Sequence, residues 1–314
     1  MPTKVKNRKF SLKALINVVI GAALLFVLYF QFLAEQKLEM LKSSFPDYSI
    51  EVLSMIVILM LLLVLLNWSI EALKWKWIVE PVVFVPYLRA LQSTFMGNAV
   101  GIFTPNRVGE IVGRLFLIPS YHRKRGGIMT FYGSLATTIG SVFASSAGLL
   151  LIKRNIFISN ESFLLLSLGL IFTIGYLIFP SWQGLFRKLG WIRKYLDYFS
   201  TLRLVNTRMA LLQVFLATLR FTVFILQYVF VLKVLGLNIS LIDAFAAVSL
   251  IYLLQTLVPV PVMIELGLRG NIALIIFAQF GEFMPSLIVL AAYLMWVFNM
   301  FLTSLIGYLL ILRR

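Results

Sequence analysis

Runs of about 20 mostly apolar residues, the length an α-helix needs to cross a bilayer core, recur along this chain and limit its fold more than any other feature. They fall near residues 14–32, 52–77, 127–152, 162–179, 210–235 and 287–312. Of the 314 residues, 61% are hydrophobic and only 13% charged, whereas a soluble domain is roughly a quarter charged. The chain has too little polar surface to cover itself in water. The expected fold is all-α: a polytopic helical membrane protein with one integral membrane domain over residues 1–314.

The ionic balance agrees with that class. Lys and Arg number 28 against 12 Asp and Glu, a net charge of +16. In a soluble protein this excess would suggest nucleic acid. In a membrane protein it marks inner loops and anionic headgroups, so no nucleic-acid partner is expected. There is no cysteine, which removes disulfides and thiolate metal sites. The only histidine, His122, sits beside Arg123, Lys124 and Arg125 and reads as a loop residue. Walker, GxGxxG and HExxH strings are missing, and no metal or cofactor is expected.

Charge also orients the spans. Lys4, Lys6, Arg8, Lys9 and Lys13 precede the first run, and no small-x-small cleavage site follows it. It reads as a retained span with an inner N-terminus. The second run exits inside at Lys74 and Lys76, and the last ends inside at Arg313 and Arg314. Residues 181–208, basic and amphipathic, form a cytoplasmic linker on the inner surface. Only Lys37, Lys42, Lys153, Arg154 and Lys233 fall outside, the expected positive-inside bias. Trp75, Trp77, Trp182 and Trp191 are expected at the inner interface.

Two stretches are too broken to span. In the first, apolar arms at 91–103 and 111–118 flank Thr104-Pro105-Asn106-Arg107-Val108-Gly109-Glu110. In the second, 244–257 and 271–280 flank an interruption at 258–270 that contains Pro259, Pro261, Glu265, Gly267, Arg269 and Gly270. Proline removes a backbone donor and breaks the preceding helix. Both stretches are expected to be re-entrant hairpins, giving about six full spans plus two broken-helix hairpins.

The order span, span, hairpin, span occurs twice with opposite starting sides. Residues 10–155 form a first repeat and 160–312 a second, an inverted topology in which substrate binds near the midplane. Each break carries a proline, then a glutamate, then an arginine one helical turn later: Glu110 and Arg114, Glu265 and Arg269. Such i, i+4 residues share a helix face. A charge at the bilayer centre costs at least about 2.5–3.5 kcal/mol, so these residues must pair or line a wet cavity. Arg220, in the middle of a span, adds another cation. The candidate binding residues are Arg107, Glu110, Arg114, Arg220, Glu265 and Arg269. The candidate break residues are Pro105, Asn106, Gly109, Pro259, Pro261, Gly267 and Gly270. Arginines exceed glutamates, and the natural ligand is an anionic headgroup, most simply a phosphate.

The P-x-R-x-G-E-x-x-x-R string at 105–114, with a later proline-rich break, resembles the lysylphosphatidylglycerol synthase transmembrane (flippase-like) family over residues 10–312. The second motif departs at Val262-Met263, where a glycine pair follows Pro-x-Pro in the family. The resemblance implies a bacterial or archaeal inner-membrane protein that moves or binds a lipid; the charge pattern above puts both termini in the cytoplasm. It is expected to be a stand-alone member without the soluble aminoacyltransferase domain.

Three functions fit. The first is a lipid flippase or lipid-binding transporter, not an enzyme, in which the arginines hold the headgroup and Glu110 and Glu265 neutralise them in its absence. The second is a non-transporting scaffold or regulator of a lipid-modifying enzyme, for which Gly140, Ala144 and Gly148 offer a small-residue helix face. The third is an integral-membrane transferase. Membrane lipids are the expected partners, together with a second copy or a lipid enzyme.

Overall fold

Helices begin where a capping side chain meets an apolar run. In the computed structural model, which describes residues 46–104, 107–150, 159–182, 196–257, 262–281 and 283–313, helix α1 spans Ile50–Val79. Ser49 caps it by accepting from the Val52 N–H, and Glu51 sits in its first turn, where a negative charge suits the helix dipole. The expected run at 14–32 lies outside the described residues.

Helix α2 (Tyr87–Gly101) is followed by a tight turn and a six-residue helix, α3 (Gly109–Arg114). Two short 3₁₀ turns lead to α4 (Arg123–Leu150). Helix α5 covers Ser159–Ile178. Beyond a further short helical turn at Leu196–Phe199 comes α6 (Thr207–Val234). Asn206 caps α6 through the Met209 N–H at 2.8 Å. Its far end is a Schellman close, with Gly236 N–H on the Lys233 carbonyl and Leu237 N–H on the Leu232 carbonyl. Gly236 adopts φ +79° there. Gly236→Ala is expected to cost about 1 kcal/mol, because an L side chain is strained in that region. Thermal unfolding in detergent would read this as a small drop in midpoint.

Helices α7 (Leu241–Leu257) and α8 (Val262–Phe277) form the second broken element. Last come α9 (Pro285–Trp296), a π-helical turn at Val297–Phe301, and α10 (Leu302–Leu312), which run on as one rod. All described elements are helical. Among the described residues, four segments are long and apolar enough to cross a membrane: Ile50–Val79, Ser120–Ser146, Thr207–Val234 and Pro285–Leu312.

Burial follows lipid logic. Large apolar side chains such as Met55, Ile58, Leu62, Phe215 and Leu226 are exposed, while Asn67, Glu71, Lys74, Asn98, Gln213, Gln227 and Asn299 are buried. Water would penalise that arrangement, whereas hydrocarbon favours it. Close helix contacts rest on small residues. A Cβ on Gly140 would stand 2.6 Å from the Ala217 Cβ and 2.7 Å from the Ala217 carbonyl carbon, so α4 and α6 meet backbone to backbone. That glycine is used inside the protein, not left for a partner.

Several expectations need correction. The second interruption is shorter than 258–270: the chain is helical again from Val262, so Gly267 and Gly270 lie inside α8 and break nothing. A glycine costs a helix only about 1 kcal/mol against alanine, and no proline follows to remove further hydrogen bonds. Arg208 belongs to α6, not to the linker, and Leu202 and Val205 at the end of that linker are buried. Trp75 does not turn its ring outward as an interfacial anchor would. It is buried, and its indole N–H donates to the Thr130 hydroxyl at 2.9 Å. Trp191 and the side chain of Trp182 lie outside the described residues.

Candidate functional site

The centre of the site is a residue of α1. Asn67, Glu71 and Lys74 are spaced four and three apart and therefore share one face. All three are buried, Glu71 to 2% and Lys74 to 1% exposure. The Glu71 carboxylate meets three cations at once: Lys74 Nζ at 3.0 Å, Arg114 Nη2 at 2.7 Å and Arg220 Nη1 at 3.0 Å. Arg220 also donates from Nε to Asn67 Oδ1 at 2.8 Å, and its guanidinium lies 5.3 Å from the centre of the Trp68 ring. Lys74 further donates to the Thr137 hydroxyl. One carboxylate thus joins α1, α3 and α6. Lys74, expected at the inner end of its span, is a buried member of this cluster.

The first broken stretch closes on the cluster as a helical hairpin. Helix α3 folds back on α2 so tightly that a Cβ on Gly113 would sit 2.5 Å from the Met96 carbonyl oxygen, and one on Gly101 3.1 Å from the Glu110 Cβ. The turn is held by Thr104, whose hydroxyl accepts from the Gly109 N–H at 2.8 Å. Arg107 in that turn has φ 56°, the single positive-φ residue other than glycine among the described residues. Such a conformation costs on the order of 1–2 kcal/mol and persists only where contacts hold it. Arg107 donates to Asn98 Oδ1 and lies 3.4 Å from Glu110 Oε2. Glu110 in turn pairs with Arg114, one helical turn on.

From Asn98 the network reaches the last rod. Its amide nitrogen lies 3.2 Å from the Met300 carbonyl, 2.7 Å from the Thr303 hydroxyl and 2.9 Å from the Ser304 hydroxyl. The π-turn shifts carbonyls out of the ordinary helical ladder. Met300 O takes the Asn98 bond, and Asn299 O accepts from the Trp68 indole at 3.3 Å.

Beside this network lies a cavity of about 200 Å³. Arg107, Arg220 and Arg269 all line it, with Trp68, Phe221, Phe224 and Tyr252 as aromatic wall and Gln255 and Asn299 as polar wall. Its lining comes from both halves of the chain. In the wider cluster, four cations (Lys74, Arg107, Arg114 and Arg220) face two carboxylates (Glu71 and Glu110) among the described residues. The arrangement can take up negative charge in a low-dielectric interior, where paired guanidinium donors bind a phosphate most strongly.

The profile of the lysylphosphatidylglycerol synthase TM region matches residues 14–307. The chain belongs to this family. It is a multi-pass membrane protein whose family points to a lipid-related function in the membrane. No curated protein matches the chain. No solved structure does so either.

Of the residues picked out from sequence, Arg107, Glu110, Arg114 and Arg220 come together in one network, and Arg269 joins Arg107 and Arg220 at the cavity. Gly109 opens α3, and Glu265 lies on α8 one turn before Arg269. Pro105, Asn106, Pro259 and Pro261 lie outside the described residues. Sequence reasoning missed Glu71 and Lys74, and with them Asn67, Asn98, Gln255 and Asn299. A signal for Glu71 was present: an acidic residue inside an apolar span is a functional candidate by default.

Proposed function

We propose that this protein is a lipid flippase or lipid-binding transporter that holds an anionic, phosphate-bearing headgroup at the Arg107, Arg220 and Arg269 cavity. The observation that carries the reading is the convergence of three arginines, from the first hairpin, a spanning helix and α8, on one cavity among candidate spans. Glu71 and Glu110 hold the cations in place before the lipid arrives. Acyl tails remain in the bilayer while the headgroup enters between the two halves. In this reading the chain is an inverted repeat of six spans and two re-entrant hairpins. It acts by binding and transport, not catalysis, and both termini lie in the cytoplasm of a bacterial or archaeal cell.

Mass spectrometry of lipids that copurify in mild detergent tests this. An anionic lipid is expected to be enriched over bulk membrane in the wild type and lost in both Arg107→Ala and Arg269→Ala. Each arginine contributes charge-assisted hydrogen bonds worth about 1.5–3 kcal/mol, or roughly 10- to 100-fold in affinity. Bulk lipid composition in all three proteins would overturn the reading.

A further inference from the structure

Helix α4 opens with three consecutive cations, Arg123, Lys124 and Arg125, and has no acidic residue in its first turn. That is the unfavourable end for them, because the N–H groups of a first turn already carry partial positive charge. Their contacts do not offset it. Arg123 donates from Nε to the Ile118 carbonyl at 3.0 Å, and Lys124 donates to the Tyr198 hydroxyl at 3.1 Å, both neutral acceptors. Among the described residues no carboxylate pairs with any of the three. Charge balance at this helix end calls for an anion from outside the chain.

Arg123 and Lys124 also border an open groove of about 560 Å³, whose other walls include Ile111, Leu115, Ile128, Phe131 and Phe199. That volume lies within the roughly 300–1,000 Å³ of pockets that hold a small molecule. From Arg123 to Phe131 the groove follows α4 for about two turns, roughly 12 Å. Gly127 leaves it wide, since a Cβ there would meet only the end of the Leu115 side chain, at 3.3 Å. This part of α4 lies in a segment apolar enough to cross a membrane, and Phe131 is exposed. The groove therefore opens towards hydrocarbon.

We propose that this groove holds one acyl tail of an anionic phospholipid, with the lipid phosphate at Arg123 and Lys124. The occupant follows from the two halves of the lining. A peptide segment would leave its backbone N–H and C=O groups without partners against those apolar walls, whereas a hydrocarbon tail has none to satisfy. The charged end then selects a tail that carries an anion. None of the residues that line the arginine cavity lines this groove, and the site stands whether or not that cavity binds a headgroup. The lipid here is held, not carried. Helix α3 makes its close contacts with α2, at Gly97, Gly101 and Gly113, while Ile111 and Leu115 face the groove. A bound tail completes the packing on that side of the hairpin.

The test is photolabelling of the full-length protein in lipid nanodiscs. The probes are phosphatidylglycerol and phosphatidylcholine that carry the same mid-chain diazirine, and labelled tryptic peptides are quantified by mass spectrometry. The peptide Gly126–Lys153 reports the groove through Ile128 and Phe131. The peptide Met209–Arg220 reports ordinary lipid-facing surface through Phe215, which is exposed. The ratio of phosphatidylglycerol to phosphatidylcholine labelling is expected to be at least about fivefold higher in the first peptide, the scale of one Lys or Arg beside an anionic lipid. Gly127→Leu, which keeps all three cations and fills the groove, is expected to bring that ratio down to the control. The double variant Arg123→Gln, Lys124→Gln is expected to do the same, and Arg269→Ala to change nothing.

Equal ratios in the two peptides of the wild type would overturn the proposal, since the groove would then be ordinary lipid-facing surface. A raised ratio that survives Gly127→Leu would also overturn it, because the cations would be gathering anionic lipid without the groove. Loss of the raised ratio in Arg269→Ala would overturn it as a separate site and make the groove part of the arginine cavity. Should the double variant fail to insert, the wild type and Gly127→Leu decide by themselves.

Discussion

Glu71→Gln is expected to destabilise the protein by about 3–5 kcal/mol, the range for removing one partner of a buried ion pair. The reason is the number of cations that one carboxylate serves. Without it, Lys74, Arg114 and Arg220, which all meet the same carboxylate, remain buried together, with Glu110 as the remaining carboxylate paired to the cluster among the described residues. Thermal unfolding in detergent, with size-exclusion to follow monodispersity, measures the effect. The double variant Glu71→Gln, Lys74→Met should recover part of the loss, since it removes one of the cations left behind. A Glu71→Gln protein as stable as the wild type would show that the cluster does not hold α1, α3 and α6 together.

The second large effect is expected at glycines where backbones touch. A Cβ on Gly307 would fall on the Phe95 carbonyl, and one on Gly113 would stand 2.7 Å from the Gly97 Cα as well as against the Met96 carbonyl. Backbone cannot swing aside as a side-chain end can, so α10 or α3 would have to move away from α2. Gly113→Ala and Gly307→Ala should each cost on the order of 3 kcal/mol, the upper part of the range for overpacking. Gly175→Ala is the control: it sits in α5 with nothing within 4 Å of an added Cβ. It should be neutral, or more stable by up to about 1 kcal/mol through helix propensity. Equal melting temperatures for all three variants would contradict the close packing.

Hydropathy made the long helices legible. The expected limits for α1, α4, α6 and the last rod fall within about four residues of those observed, because a long apolar run leaves the backbone no other way to satisfy its polar groups in lipid. The first break was legible from Pro105 and from the Glu110 and Arg114 spacing. The second was drawn too wide, because Gly267 and Gly270 looked like breakers although a helix absorbs isolated glycines. Glu71 escaped notice for a different reason. A scale that averages over about 20 residues sees one carboxylate inside a leucine-rich helix as a small dip, and Lys74 three residues on looked like the charged end of the span. What joins Glu71 to Arg114 and Arg220 is contact across 43 and 149 positions of chain, and no local pattern carries that. Asn98 and Asn299 were hidden in the same way. Each is an ordinary residue of an apolar stretch until the neighbouring helix is in place.

The π-turn at Val297–Phe301 gives the last rod one residue of slack in its length. A π-turn accommodates one residue more than the α-helical ladder has room for. Excising a single residue there would restore an ordinary helix and leave everything beyond it facing nearly as before, because five residues of π-turn rotate the chain about as far as four of α-helix. Thr303, Ser304 and Gly307 would then stay on the surface of α2, and with them the Thr303 and Ser304 anchors of Asn98 and the close approach at Phe95. A residue lost from the plain α-helix at Leu305 has no such slack and would turn Gly307 away by about 100°. The register of the C-terminal rod, more than its hydrophobicity, keeps the Arg107 turn in place.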